Sequence, residues 1–398
     1  MATEPIPALQ FQQVSSRRTA LPALTGVRFF AAFYVVLSHS LPWVAMRFRI
    51  PWPAKIFLSN GYLAVAMFFL LSGFILAYTY DEQIAGSRNH ARFWEARFAR
   101  IDPVYLLSLV LAFWFERGLH IKTQIAVLTM TQAWNPLSPE TVGAWNYPAW
   151  TLSVEAFFYL VFPFVLPVIS RRSIVALRWI GIACLVVTVF GHTPWEGLQN
   201  RESLDSVGSL IPLPVWRLPE FLLGVVLGLH FLRTDSFRQK PSRPVTVALA
   251  VAGILLALSL PLGKWVSLVI IPFAVLIYEL ARGNNWLATI LSTRFMVLLG
   301  GASYAIYLLQ FPVRAWTRTL FQHFSATVQP LSAPLTPLIL ILFLSRCFVF
   351  GKNPPEGRCE HGSIVSVLTA IQLLEAAKDK MNAPINEALL KKMGIVNQ

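Results

Sequence analysis

Charge is scarce in this sequence. Of its 398 residues, 13% are Asp, Glu, Lys or Arg, about half the share of an ordinary soluble domain. That excludes a string of soluble domains, a disordered chain and a coiled coil for most of the length. Cysteine is scarce too. The three cysteines, Cys184, Cys347 and Cys359, lie far apart with no CxxC pair, which excludes a disulfide scaffold and argues against a zinc site. No GxxxxGK[ST] loop, no GxGxxG after a strand and no HExxH occurs, which argues against an ATPase, a nicotinamide enzyme and a zinc protease. There is no Asn-x-Ser/Thr sequon and no repeat at a fixed period.

What is abundant is apolar surface. Hydrophobic residues make up 56% of the chain and the mean hydropathy is +0.58. The charge that remains is basic, 33 Lys and Arg against 19 Asp and Glu, for a net charge of +14. In a soluble protein this would suggest nucleic acid. In so apolar a chain it reads as the excess of Lys and Arg that holds cytoplasmic loops in place.

A helix needs about 20 mostly apolar residues to cross a bilayer core. Ten segments qualify: 22–42, 61–80, 101–116, 150–169, 175–191, 213–232, 245–262, 265–281, 296–314 and 331–349. Segment 121–134 is apolar but short; it spans, lies in the interface or re-enters. The expected fold is therefore all-α, a multi-span transmembrane bundle of about ten helices. It divides into a cytoplasmic segment 1–21, a transmembrane domain 22–349 and a cytoplasmic tail 350–398. With both termini in the cytoplasm, the inner loops carry Arg88, Arg92, Arg97 and Arg100, then Arg171, Arg172 and Arg178, then Arg233, Arg238, Lys240 and Arg243. Counting 121–134 as a span would move Arg171 and Arg172 outside. The expected location is the plasma (inner) membrane. The first apolar run lacks a small-x-small cleavage site, so it reads as a span and not as a signal peptide. In the tail, Gly351-Lys352-Asn353-Pro354-Pro355 breaks the last helix, and 364–381 is amphipathic.

A titratable group inside a span is costly and tends to mark function. Arg28 opens the first span, shallow enough to snorkel to the inner headgroups. His39 lies some 25 Å further along at 1.5 Å per residue, near the outer face. Glu155 enters the fourth span from that same face, within about two turns. A His and a carboxylate at one depth suit a base with an orienting partner; the plainer alternative is a buried polar pair that stabilises helix packing. Arg97 and Arg100 are three apart on one helical face, beside the start of the third span. They suit either a cytoplasmic phosphorylated ligand or anionic headgroups. Arg217 and Glu220 read as an intrahelical ion pair, and His230 with Asp235 as a chance spacing. The loop 134–150, with Trp134, Trp145, Tyr147 and Trp150, suits sugar stacking or an interfacial belt.

These residues fall into blocks with a familiar order. Leu21-Pro22-Ala23-Leu24-Thr25-Gly26-Val27-Arg28-Phe29-Phe30-Ala31-Ala32, closing on His39, resembles the opening of the membrane acyltransferase 3 family. Phe68-Phe69-Leu70-Leu71-Ser72-Gly73-Phe74-Ile75 is similar to its second-span block. Arg97-Phe98-Ala99-Arg100-Ile101 resembles its Arg-x-x-Arg motif, and Trp150-Thr151-Leu152-Ser153-Val154-Glu155 its Trp-Ser-Leu-x-x-Glu block. Arg217 with Glu220-Phe221-Leu222-Leu223-Gly224, then Leu299-Gly300-Gly301-Ala302-Ser303-Tyr304-Ala305-Ile306-Tyr307-Leu308, complete the series over residues 21–312. One departure is Gln310, where the family often has His; another is the ending after Ser345.

The resemblance implies an integral-membrane O-acyltransferase. It would take an acyl group, usually acetyl, from a cytoplasmic acyl-CoA donor and pass it to a hydroxyl of a carbohydrate or lipid-linked glycan, with no metal. Carried over residue by residue, His39 and Glu155 would be catalytic, and Arg97 and Arg100 would hold the acyl-CoA. The alternative is a transporter or flippase for a lipid-linked sugar. The lack of related halves counts against that alternative.

Overall fold

A computed structural model describes residues 19–40, 45, 49–81, 90–116, 118–135, 139–190, 211–234 and 243–321, and among them every regular element is helical. The chain runs through α1 (Pro22–His39), α2 (Trp52–Ser59), α3 (Ala64–Tyr80), α4 (His90–Phe113), α5 (Ile121–Leu128), α6 (Pro139–Val142) and α7 (Trp150–Ser170). It continues through α8 (Ile174–Phe190), α9 (Leu213–Trp216), α10 (Leu218–Arg233), α11 (Pro244–Ser259), α12 (Ile270–Arg282), α13 (Trp286–Leu291) and α14 (Arg294–Phe321).

Among the described residues, five helical stretches are long and apolar enough to cross a membrane: Trp52–Tyr80, Tyr147–Ser170, Leu213–Arg233, Trp265–Arg282 and Arg294–Thr319. α8 and α11 are apolar but shorter. This is fewer than the ten segments expected. The reasons are local. α4 carries Arg92, Glu95, Arg97, Arg100 and Asp102 ahead of Pro103, and α1 is 18 residues long and holds Arg28 and His39. The expected span 331–349 and the tail lie outside the described residues, as does all but the end of segment 1–21. Segment 121–134 does not span: α5 has 8 residues, about 12 Å at 1.5 Å per residue.

Two close crossings organise the bundle. α3 and α10 meet through Gly73, Gly224 and Gly228. A Cβ on Gly224 would sit 2.0 Å from the Leu70 carbonyl oxygen, and one on Gly73 would sit 2.1 Å from that of Phe221. Gly224 and Gly228 form the small-xxx-small spacing that lets helix backbones approach in a membrane. α1 and α14 cross where Gly300 faces Thr25, with 1.9 Å between a Cβ at Gly300 and the Thr25 oxygen. Gly224→Val is therefore expected to force α3 and α10 apart and to cost roughly 3 kcal/mol. Thermal unfolding in detergent checks this, with Gly118→Ala as the neutral control, since nothing lies within 4 Å of a Cβ there. An unchanged midpoint for Gly224→Val would contradict the crossing.

Two prolines inside helices are used to pin neighbouring elements. Proline lacks an N–H, so it leaves the carbonyl four residues back without its helical donor. Pro163 frees the Tyr159 carbonyl, which accepts from Trp94 Nε1 at 3.0 Å. This fastens α4 to α7. Pro312 frees the Leu308 carbonyl, which accepts from Asn146 Nδ2 at 2.9 Å. This fastens the turn before α7 onto α14. Gln132 is buried beside it and donates to the Ala149 carbonyl at 3.0 Å. Stretches 121–135 and 139–149 thus pack inward against α4, α7 and α14 through Tyr105, Leu109, Val127, Ala144, Leu152 and Leu308.

Candidate functional site

A cavity of about 870 Å³, counting the space open at its mouth, lies between α1, α3, α4, α7 and α14. Along α3 it runs from Val65 to Leu76, some 16 Å at 1.5 Å per residue. Its walls are largely apolar, with Phe68, Phe69, Leu71 and Ile75 on the α3 side. Its polar lining is lopsided: three arginines, Arg28, Arg97 and Arg100, against one carboxylate, Glu155. A mostly apolar cavity with that surplus of guanidinium groups favours an anionic ligand.

Each arginine arrives by a different route. Arg97 is braced: its Nη2 donates to the Tyr80 hydroxyl at 2.7 Å, and its guanidinium carbon lies 5.2 Å from the Tyr80 ring centre and 5.8 Å from that of Phe93. Arg100, one turn on, is exposed. Arg28 comes across from α1, and its Nε, like that of Arg97, is buried without a hydrogen-bond partner. The sequence suggests that Arg28 snorkels away to headgroups; here it faces the cavity, within electrostatic reach of Glu155, Arg97 and Arg100. The sequence also suggests a helix N-terminus beside Arg97 and Arg100. Instead α4 begins at His90, because Pro103 sits mid-helix and does not open it. The two arginines lie two to three turns inside, so the helix end contributes nothing to them.

Glu155 accepts a hydrogen bond from the Tyr159 hydroxyl one turn along α7. The other two tyrosines in the lining spend their hydroxyls on backbone. Tyr304 donates to the Ile101 carbonyl at 2.9 Å and Tyr307 to that of Pro148 at 3.4 Å. These bonds hold α4 and the α7 turn against α14.

His39 is not in the cavity lining. It sits at the C-terminal end of α1, where its Nδ1 is 2.8 Å from Gln310 Oε1 on α14. Its carbonyl accepts from Arg314 Nη1 at 2.9 Å. The Phe311 and Tyr147 rings meet its imidazole edge to face, with centroids at 5.0 and 6.0 Å. The hydrogen-bond partner at His39 Nδ1 is Gln310, and Glu155 turns to Tyr159 and to the cavity it shares with the arginines. Depth along the membrane normal sets level, but the direction around the helix axis sets contact, and Glu155 points toward α1 and α4 on the cavity side. Tyr307 links the two places. It lines the cavity, stands one turn before Gln310 and Phe311, and meets Phe68 at 6.0 Å between centroids.

Two ion pairs lie away from the cavity, each within one helical turn. Arg217 Nη1 and Glu220 Oε1 are 2.6 Å apart and buried, as expected from their spacing. Glu279 and Arg282 do the same at 2.8 Å. His230 Nδ1 lies 3.4 Å from the Tyr278 hydroxyl, and Asp235 is outside the described residues. Two aromatics of 134–150 have contacts within the bundle. Trp134 stacks edge-on against Phe157, and Trp145 donates through its backbone N–H and its indole to Glu116.

Apolar helices thus surround a cavity lined by Arg28, Arg97, Arg100 and Glu155, and His39 lies outside that lining. The sequence profile of the acyltransferase domain matches residues 21–351. An acyltransferase MdmB of Streptomyces mycarofaciens is 30% identical over 318 residues, covering 75% of this chain and 80% of that relative. An O-acetyltransferase OatA of Staphylococcus aureus is 24% identical over 342 residues, covering 76% of this chain and 52% of that protein. Protein 2 in the picA locus of Rhizobium radiobacter is 40% identical over 89 residues, 22% of this chain and 41% of its own length. No solved structure matches. The chain belongs to the acyltransferase 3 family, and it is an acyltransferase enzyme.

Proposed function

We propose that this protein moves an acyl group, acetyl in the first instance, from a cytoplasmic acyl-CoA to a hydroxyl of a carbohydrate or related acceptor. The observation that carries the reading is the convergence of Arg28, Arg97, Arg100 and Glu155 on one elongated, mostly apolar cavity. The phosphates of the donor would pair with Arg97 and Arg100, for which guanidinium forks are well shaped. The apolar α3 wall would take the pantetheine arm, with Glu155 accepting from its amide N–H groups. The thioester would then point past Tyr307 toward His39.

His39 is the base in this reading. The acceptor hydroxyl gives its proton to His39, its oxygen bonds to the thioester carbonyl carbon, the C–S bond breaks, and the thiolate leaves with the proton from His39. Glu155 has a separate role in this reading. It acts from the donor side, where it also offsets part of the charge of the three arginines. The protein is read as lying in the plasma (inner) membrane with both termini cytoplasmic, supported by the loop charge bias.

Donor binding tests this without knowledge of the acceptor. A ligand that binds only the folded state raises the midpoint of unfolding. Acetyl-CoA and free CoA are expected to raise it for the detergent-solubilised protein, and adenosine without phosphates is not. No shift with any CoA thioester would contradict the reading.

A further inference from the structure

We infer that Gln310 is a positioning residue that selects the base-competent tautomer of His39. The inference rests on the proposed role of His39. Gln310 is 3% exposed, and both ends of its amide are engaged. Its Nε2 donates to the Tyr307 carbonyl at 2.7 Å, which is one-directional because a carbonyl only accepts. The other end of the amide, Oε1, therefore faces His39 Nδ1 at 2.8 Å. An amide oxygen carries no proton, so the bond forms only if Nδ1 carries one. In a neutral imidazole the lone pair then lies on Nε2, the nitrogen left to take the acceptor's proton. Arg314 fixes the other side of the same residue by holding the His39 carbonyl, and Phe311 and Tyr147 limit the tilt of the ring. Arg314 and Tyr147 stand against His39, the first bonded to its backbone carbonyl and the second meeting its ring edge to face. A carboxylate commonly does this work for a histidine base; here a neutral amide does it, anchored by its own helix.

The test separates positioning from mere packing. Gln310→Met keeps the side-chain volume and removes the acceptor oxygen. Gln310→Glu keeps an oxygen toward Nδ1. In liposomes with acetyl-CoA and a hydroxyl acceptor, Gln310→Met is expected to lose kcat by about 10- to 100-fold, with the donor KM within about twofold of wild type. Gln310→Glu is expected to recover most of that kcat. Nitrogen-15 spectra of histidine-labelled wild type, with the His39 signals identified by their loss in His39→Ala, are expected to show the proton on Nδ1. Full kcat in Gln310→Met overturns the inference, as does equal loss in both variants or a proton on Nε2. The spectrum decides the matter even where a variant fails to fold. Wild type that transfers no acyl group, or His39→Ala that transfers it normally, overturns the functional reading instead, and the tautomer is still read.

Discussion

His39→Ala is expected to lower acyl transfer by about 10³-fold while leaving the donor's Kd within about twofold of wild type. The size follows from what a positioned base supplies to a proton-transfer step, typically 10²–10⁴-fold. The split between chemistry and binding follows from the geometry. His39 is held by Gln310, Arg314, Phe311 and Tyr147 at the end of α1, and it contributes nothing to the cavity lining. Removing its imidazole leaves the three arginines, Glu155 and the α3 wall where they are. Steady-state transfer of labelled acetyl together with equilibrium binding of acetyl-CoA checks both halves. Loss of binding in step with loss of transfer would mean that His39 belongs to the donor site after all.

The double variant Arg97→Ala/Arg100→Ala is expected to show the opposite pattern, a donor Kd raised by about 10²-fold or more. A hydrogen bond to a charged group contributes about 1.5–3 kcal/mol net, and each 1.4 kcal/mol is a factor of ten in affinity, so two such partners suffice. The two positions are not equivalent. Arg97 is pre-set by the Tyr80 hydroxyl and the Tyr80 and Phe93 rings, whereas Arg100 is exposed and has room to adapt. Arg97→Lys is therefore expected to cost nearly as much as Arg97→Ala, since lysine lacks the planar fork that is braced there. Arg100→Lys should be tolerated better. Binding titrations at two salt concentrations check this, because the wild-type affinity should fall with salt more steeply than that of the double variant. Equal affinity in all variants would remove the arginines from the donor site.

Much of this site is legible in the amino-acid sequence. The blocks around His39, Arg97, Arg100 and Glu155 point to the family and the residue types, because chemistry inside a bilayer leaves few titratable groups to choose from. Direction around each helix is not legible in the same way. Residue counts put His39 and Glu155 near one depth, yet contact depends on rotation, and Gln310 takes the place next to the imidazole. Depth alone lets Arg28 snorkel, whereas its rotation on α1 turns it into the cavity.

Helix boundaries near proline are hard to read for a related reason. The expected span 101–116 begins beside Pro103, yet the helix runs from His90 with Pro103 inside it, since a proline sits mid-helix in a packed bundle when neighbours accommodate it. For two other prolines the compensating side chains are visible, Asn146 for Pro312 and Trp94 for Pro163. The Gly224–Gly228 spacing is present in the sequence as a helix-crossing signal. Its partner, Gly73 on α3, emerges only once the two helices are seen together.

Donor binding and proton transfer, as proposed, belong to two adjoining places in one bundle. The most direct test is one time course of radiolabel from acetyl-CoA in liposomes that hold wild type, His39→Ala or the double arginine variant, with a hydroxyl acceptor. Wild type is expected to move label to the acceptor. His39→Ala should bind acetyl-CoA and leave its label in place, and the arginine variant should recover transfer only at high donor concentration. Label that stays in acetyl-CoA with folded wild type across several donors and acceptors, or that moves equally well with all three proteins, would contradict the proposal.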